Sequence, residues 1–403
     1  MWELIRANKR NSVILMVIMA AVLLGLGYVI GLAIDPRAGF IGLTLAAVIW
    51  AVMSLVSFSS GDQILLSASR AKPVTKDVHP VLFNVVEEMT IAAGLSRMPK
   101  IYIINDPAPN AFATGRKPET ASVAVTAGLL GRLNRDELQG VIAHEMSHII
   151  HRDIMYVTLA GIMLGTIVLL SQVFLRGMFY SSMGGSSRRV SSGGGGNQLQ
   201  VIMIAVAIIA AILAPIMTYL LYFALSRRRE YLADAGGARL TRYPEGLASA
   251  LEKIANDPAP QLSVANKATA PMYIANPFKR KGQRSLADLT STHPPMSERI
   301  TILRKMSGAS FNDYSNSFTS VTGSASVIPS SGLKSNEALS LRGAGEAEPP
   351  ENKKQMHREM GDLMRKVNGF SFLTCPCGLK LKIPPDFKAP TVKCPRCQRV
   401  LDK

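Results

Sequence analysis

Three groups of residues in this 403-residue chain have the types and spacing that chemistry requires. The first is His144-Glu145-Met146-Ser147-His148. On a helix, residues four apart share a face, so both imidazoles can hold one zinc ion with Glu145 beside it. Zinc lowers the pKa of water towards neutrality, and a glutamate so placed takes a proton from the water that attacks an amide carbonyl. The bland alternative is an ordinary polar helix face. Against it, the chain has only six histidines, and the pair sits in a capped helix behind a strand.

The second group is Arg229-Glu230-Tyr231-Leu232-Ala233-Asp234. A third protein ligand is needed, and Glu230 is the best candidate. Asp234 lies one helical turn later on the same face, where it would orient a ligand histidine through its free ring nitrogen. The alternative is a solvated acidic pair offsetting Arg227, Arg228 and Arg229. The third group is Cys375, Cys377, Cys394 and Cys397, arranged as Cys-Pro-Cys-Gly and Cys-Pro-Arg-Cys with 16 residues between the last thiol of one pair and the first of the next. Four thiolates in two close pairs satisfy a tetrahedral zinc with no open position, so this site is expected to be structural. A disulfide pair is the competing reading, disfavoured in a reducing compartment. The Cys-x-Cys knuckle departs from the commoner Cys-x-x-Cys.

Apolar runs must position these groups. Residues 11–34, 38–61, 154–175 and 190–226 contain no charge. About 20 apolar residues cross a bilayer as a helix. Val13–Ile34 and residues 39–58 form one membrane hairpin, and residues 154–175 and 199–225 form another. Pro215 is expected to kink the fourth span. With 48% hydrophobic residues and a mean hydropathy of +0.19, the chain is neither disordered nor one ordinary soluble globule.

Between the hairpins, residues 99–105 and Ser122–Thr126 read as strands. Asn134 and Glu137 read as a capping box that opens the helix carrying both histidines. The expected domains are an N-terminal arm and hairpin (1–58), a first catalytic part (59–153), a second hairpin (154–225) with a Gly- and Ser-rich loop at 176–198, a second catalytic part (226–305), a low-complexity tether (306–369) and a Cys module (370–403).

Parity supports joining the first two groups. His148 and Glu230 are 82 positions apart with two spans between them, so they return to the same side of the membrane. The metal is therefore expected near the membrane surface. Arg6, Lys9, Arg10, Arg70, Lys72, Lys76, Arg227, Arg228 and Arg229 flank the spans on one side, against only Arg37 in the first hairpin loop. This predicts both termini and the active site in the cytoplasm, within the cytoplasmic (inner) membrane. Arg176, Arg188 and Arg189 argue the other way.

His144–His148, then Glu230 to Asp234 after a membrane hairpin, then Thr292-His293-Pro294-Pro295-Met296-Ser297-Glu298-Arg299-Ile300 together resemble the HtpX-like membrane metalloproteases, relatives of the CAAX prenyl proteases. The resemblance covers roughly residues 1–305. It implies an α-helical membrane protein with a mostly α (α+β) gluzincin-like cytoplasmic catalytic domain; the Cys module separately resembles a small β zinc ribbon at the C-terminus. It implies that His144, His148 and Glu230 are zinc ligands and Glu145 the general base. It further implies quality-control cleavage of membrane or misfolded polypeptides. By the same comparison Asn110 and Ala111 would pair with an extended substrate, or else form a Pro/Asn turn. His293 would stabilise the oxyanion, or else fix a Pro-Pro turn, with Arg299 assisting or bracing. His151 is read as non-ligating.

The Cys module carries seven basic and two acidic residues, which permits nucleic acid electrostatically. Without an aromatic run for base stacking, a protein partner is favoured over nucleic acid. Most of the formal charge of +17 lies where it would face anionic lipid. Rival functions are a non-catalytic membrane scaffold recruiting partners through the ribbon, and a CAAX-type processing protease. Residues 272–284 could close over the cleft or touch lipid headgroups.

Overall fold

The computed structural model describes residues 2–183, 196–258, 272–275, 294–330, 332–333, 339–345 and 353–402. Four of its helices are long and apolar enough to cross a membrane: Val13–Ile34, Gly39–Ala68, Val157–Tyr180 and Val201–Thr218. The first two belong to α1 (Trp2–Ile34) and α2 (Gly39–Ala68), joined by a turn in which Asp35 Oδ1 accepts from the Arg37 N–H at 2.7 Å. Leu15, Met19, Leu23 and Leu26 of α1 pack against Leu159, Met163, Leu164 and Ile167 of α6 (Ile154–Met183) and Ala211 of α7 (Gly196–Thr241). The opposite faces leave Val17, Phe40, Leu55 and Leu169 exposed, as lipid-facing positions require.

Both later helices outrun the spans expected from sequence. Of the loop expected at 176–198, residues 176–183 and 196–198 are helical, and the rest lies outside the described residues. No proline interrupts residues 176–183, so the helical ladder continues beyond the apolar run. α7 likewise runs unbroken through Pro215 as a 46-residue helix. Its membrane half thus passes directly into the turn that carries Glu230 and Asp234.

A four-stranded sheet lies outside the spans. Its order is β1 (Ala71–Pro73), β2 (Lys100–Ile104), β4 (Ser122–Thr126), β3 (Ala111–Thr114). β2 and β4 are parallel and the other two pairings antiparallel, which leaves β3 on the edge. Period-2 alternation divides the side chains. Ile101, Ile103, Ala111, Ala113, Val123 and Val125 face the main core. Ile104, Phe112 and Ala124 face a smaller cluster with Leu66 at the end of α2.

The main core is helical. α3 (Pro80–Ala92) contributes Leu82, Val85 and Val86, each fully buried. The short α4 (Ala127–Leu130) follows β4 and adds Leu129. α5 (Arg135–Ile150) contributes Val141, Ile142, Met146 and Ile149, and α8 (Pro244–Asn256) adds Leu247 and Leu251. Burying each such side chain contributes roughly 1.5–3 kcal/mol. The capping box of α5 forms as the sequence predicts: Asn134 Oδ1 accepts from Glu137 N–H, and Glu137 Oε2 from Asn134 N–H, both at 2.9 Å.

Part of the expected tether is folded. α9 (Met296–Arg304) leads to α10 (Phe311–Thr322), which opens on a Ser310–Asp313 capping box and buries Phe311, Tyr314 and Phe318 in the main core. Those three aromatics lie on one helical stripe, a signal masked by the serines and asparagines between them. Arg342 returns to Asp136 at 2.8 Å. α11 (Lys353–Val367) then packs Met360, Leu363, Met364 and Val367 against the same core. Two hairpins close the chain, β5 (Ser371–Thr374) with β6 (Lys380–Ile383) and β7 (Thr391–Lys393) with β8 (Val400–Asp402). Asp362 of α11 ties the first hairpin down through Lys382 at 2.6 Å and Lys380 at 3.3 Å.

Candidate active site and metal centres

α5 presents His144, Glu145 and His148 from a fully packed helix. α7 crosses it closely enough to bring Glu230 alongside. That approach depends on Gly236 and Gly237: a Cβ at Gly236 would meet Ser147 Oγ at 2.0 Å, and one at Gly237 would meet the His144 backbone N at 3.1 Å. With the helices so close, His144 Nε2 and His148 Nε2 lie 3.2 Å apart. Glu230 Oε2 is 3.7 Å from His144 Nε2, and its Oε1 is 3.6 Å from His148 Nε2.

This donor set fits a tetrahedral ion. Bonds of about 2.0–2.1 Å at the tetrahedral angle place donors roughly 3.3–3.4 Å apart. Two nitrogens and a carboxylate converging at 3.2–3.7 Å meet that requirement without a fourth protein donor. The side chains that would hold an ion are themselves held. His144 Nδ1 lies 3.0 Å from Asp234 Oδ1, and His148 Nδ1 lies 2.9 Å from Asp153 Oδ2. Sequence reasoning anticipated Asp234 and missed Asp153. The latter is aimed by the break between α5 and α6, where Arg152 adopts φ of +55°. No sequence pattern announces a left-handed arginine.

Arg299 of α9 closes the site from behind. It is fully buried, and its fork donates to both oxygens of Asp234, Nε at 2.8 Å and Nη2 at 2.6 Å. Nη1 lies 3.3 Å from Glu230 Oε2 and donates to the Ile274 carbonyl at 3.0 Å. One guanidinium is therefore shared between two carboxylates that burial would otherwise make more costly. Burial by itself would raise the Asp234 carboxyl; Arg299 outweighs it and holds the group below the usual range.

Glu145 sits among these groups with Oε1 buried and unpartnered among the described residues. Burial pushes its carboxyl up to about 8, against the pull of His148 and of a hydrogen bond from the Ala113 backbone. Burial opposes the charged form of His148 too, yet the Asp153 carboxylate prevails and raises it to about 9. His151, read as non-ligating, points to Ser147 Oγ at 3.1 Å and lies apart from the three donors.

Asn110 and Ala111 stand at the mouth of edge strand β3, and both are buried. The Asn110 side chain pairs with Ala275, and the Ala111 carbonyl accepts from Ile274 N–H at 2.9 Å. His293, expected near the oxyanion, falls outside the described residues; Arg299 and Ile300 of the same motif lie on α9.

Residues 77–307, more than half the chain, match peptidase family M48. The chain belongs to peptidase family M48. Curated relatives of this M48 peptidase carry the description protease HtpX homolog. That of Dictyoglomus turgidum is 44% identical over 305 residues, covering 76% of this chain and 94% of the relative. Those of Caldanaerobacter subterraneus subsp. tengcongensis and Listeria monocytogenes serovar 1/2a are 42% and 44% identical, over 98% and 100% of their lengths and 76% of this chain. A crystal structure of S. mikatae Ste24p is a distant neighbour, with a TM-score of 0.38 and 19% identity over 75% of this chain and 67% of that one. This M48 peptidase is a membrane-bound metalloprotease acting on polypeptides, with four candidate membrane helices.

A second donor cluster lies in the C-terminal hairpins. Cys375 Sγ and Cys397 Sγ are 3.4 Å apart, Cys377 Sγ and Cys394 Sγ 3.7 Å, and all four thiols are free. Bonds of about 2.3 Å from one ion to four sulfurs need roughly this separation. Backbone geometry serves the knuckles: Gly378 and Gln398 adopt φ of +84° and +59°, which turns the chain back after each pair.

Proposed function

We propose that this M48 peptidase is a zinc endopeptidase that hydrolyses membrane or misfolded polypeptides at the cytoplasmic face of the inner membrane, in protein quality control. The observation that supports the reading most is the convergence of His144, His148 and Glu230 beside the buried, unpartnered oxygen of Glu145. In this reading the first three hold the ion, which supplies Lewis acidity towards the scissile carbonyl and acidifies water. Glu145 takes the proton of the attacking water and returns it to the leaving amine. Asp234 and Asp153 fix the two imidazoles, each by its second nitrogen. Asn110 and Ala111 bind an extended substrate along β3, and His293 supplies an oxyanion donor. Cys375, Cys377, Cys394 and Cys397 hold a second, structural zinc, and the ribbon docks a protein partner. The basic residues flanking the spans support the cytoplasmic side for these parts.

Glu145→Gln tests the assignment. The variant is expected to retain zinc while casein hydrolysis falls at least a thousandfold; undiminished hydrolysis would sink the mechanism.

A further inference from the structure

The edge of β3 already carries a peptide. Tyr273, Ile274 and Ala275 lie opposite Phe112, Ala111 and Asn110 in turn, so the segment runs antiparallel along the β3 edge through a series of bends. Its backbone is gripped at successive groups. Ile274 N–H donates to the Ala111 carbonyl at 2.9 Å, and the Ile274 carbonyl accepts from Arg299 Nη1 at 3.0 Å. Ala275 N–H donates to Asn110 Oδ1 at 3.3 Å, and its carbonyl accepts from Asn110 Nδ2 at 3.0 Å. None of these four contacts depends on the identity of the strap's side chains. Another peptide following the same path could make them.

The strap also lies in the register of the chemistry. Arg299, which binds the Ile274 carbonyl, is 3.3 Å from the candidate ligand Glu230. Two residues along β3 from Ala111, the Ala113 backbone bonds the Glu145 carboxylate. The side chains divide between two clusters, with Ile274 and Ala275 sharing the main core. Tyr273 enters the smaller cluster, its ring 5.1 Å from that of Phe112 at 80°, with its hydroxyl 3.1 Å from Ser69 Oγ. Ile274 turns the other way into the main core. Both are 1% exposed.

We propose that Tyr273-Ile274-Ala275 is a resident substrate mimic, which both occludes the peptide-binding edge and reports its preference. The inference rests on the proposed role of Asn110 and Ala111. The preferred segment carries an aromatic residue, then a β-branched aliphatic one, then a small one. Such aromatic–aliphatic pairs are buried in folded proteins, so the edge selects chains that have lost their fold. A bound segment replaces the strap contact for contact, and the difference between the two sets the response.

The test uses the full-length, zinc-loaded chain in detergent with Glu145→Gln, and a fluorescein-labelled Met-Tyr-Ile-Ala-Asn peptide read by anisotropy. Adding Tyr273→Ser and Ile274→Ser is expected to tighten peptide binding at least tenfold, while a peptide with glycine for isoleucine binds to neither chain. Equal affinity for both chains, or binding to neither, overturns the proposal. A second measurement leaves the strap unaltered. Products of casein cut by the wild-type chain are mapped, and aromatic–aliphatic–small windows are expected at cut sites at least tenfold above chance; a random distribution overturns the proposed preference. Loss of the peptidase reading shows separately, as casein hydrolysis unaffected by Glu145→Gln.

Discussion

Arg299 shows how much one side chain decides. It is fully buried and donates in a fork to Asp234 while facing Glu230. Lysine keeps the charge but cannot reproduce the fork, and an incompletely paired carboxylate would remain buried. Arg299→Lys is expected to destabilise the chain by about 3 kcal/mol and to weaken zinc binding, measured by thermal melting and metal titration. Asp153→Asn removes the carboxylate behind His148 and is expected to reduce zinc affinity about 10–100-fold, measured by metal titration. His151 makes a pH prediction. Burial pushes it down to about 4, against the raising effect of Asp153, so the folded chain resists protonation there. Its contribution is whole above the unfolded value near 6.5 and is lost as pH falls from there to 4. At pH 5 the loss is about 2 kcal/mol. His148, raised to about 9, contributes the other way, with stability lost as pH rises through 9. Comparing wild type with His151→Gln in chelator isolates the first effect: the variant's melting temperature should fall less between pH 7 and pH 5.

Among elements, α7 does the most to place the site. It leaves the membrane, delivers Glu230 and Asp234, and presses on α5 through Gly236 and Gly237. Gly236→Val would put branched carbon where Ser147 Oγ stands and force the helices apart. Bound zinc is expected to fall from two ions per chain to one, by elemental analysis, with no hydrolysis. α10 braces the same turn from outside the M48 match. Phe318 packs edge-on against Tyr231, next to Glu230, with ring centroids 5.0 Å apart. Truncation of such a ring costs about 3–5 kcal/mol, so Phe318→Ala should lower the melting temperature by several degrees and weaken zinc retention.

Across the whole molecule, the catalytic core, the spans and the Cys hairpins are linked without a free tether along the described residues of α11. That helix packs on the core and holds Lys380 and Lys382 through Asp362. Replacing Cys375 and Cys377 by serine should therefore remove one zinc and unfold the hairpins locally, while casein hydrolysis stays within about threefold of wild type, since stability in one small metal module is separable from the core. Hydrolysis that collapsed with the ribbon zinc would make the module part of the catalytic unit.

Helix periods, charge-free runs and close donor spacing are local properties, so the amino-acid order by itself determined the four spans, the capped helix of His144 and His148, and the two candidate metal sets. Parity of crossings even put Glu230 on the same side as the histidines it meets. What no local pattern contains is contact between distant segments. Asp153 reaches His148 only because Arg152 turns left-handed, and α10 is a helix whose aromatic stripe is buried by partners far away in the chain. The strap is the extreme case: its three residues look like loop, and only tertiary packing lays them along β3, where unpaired edge groups must find partners.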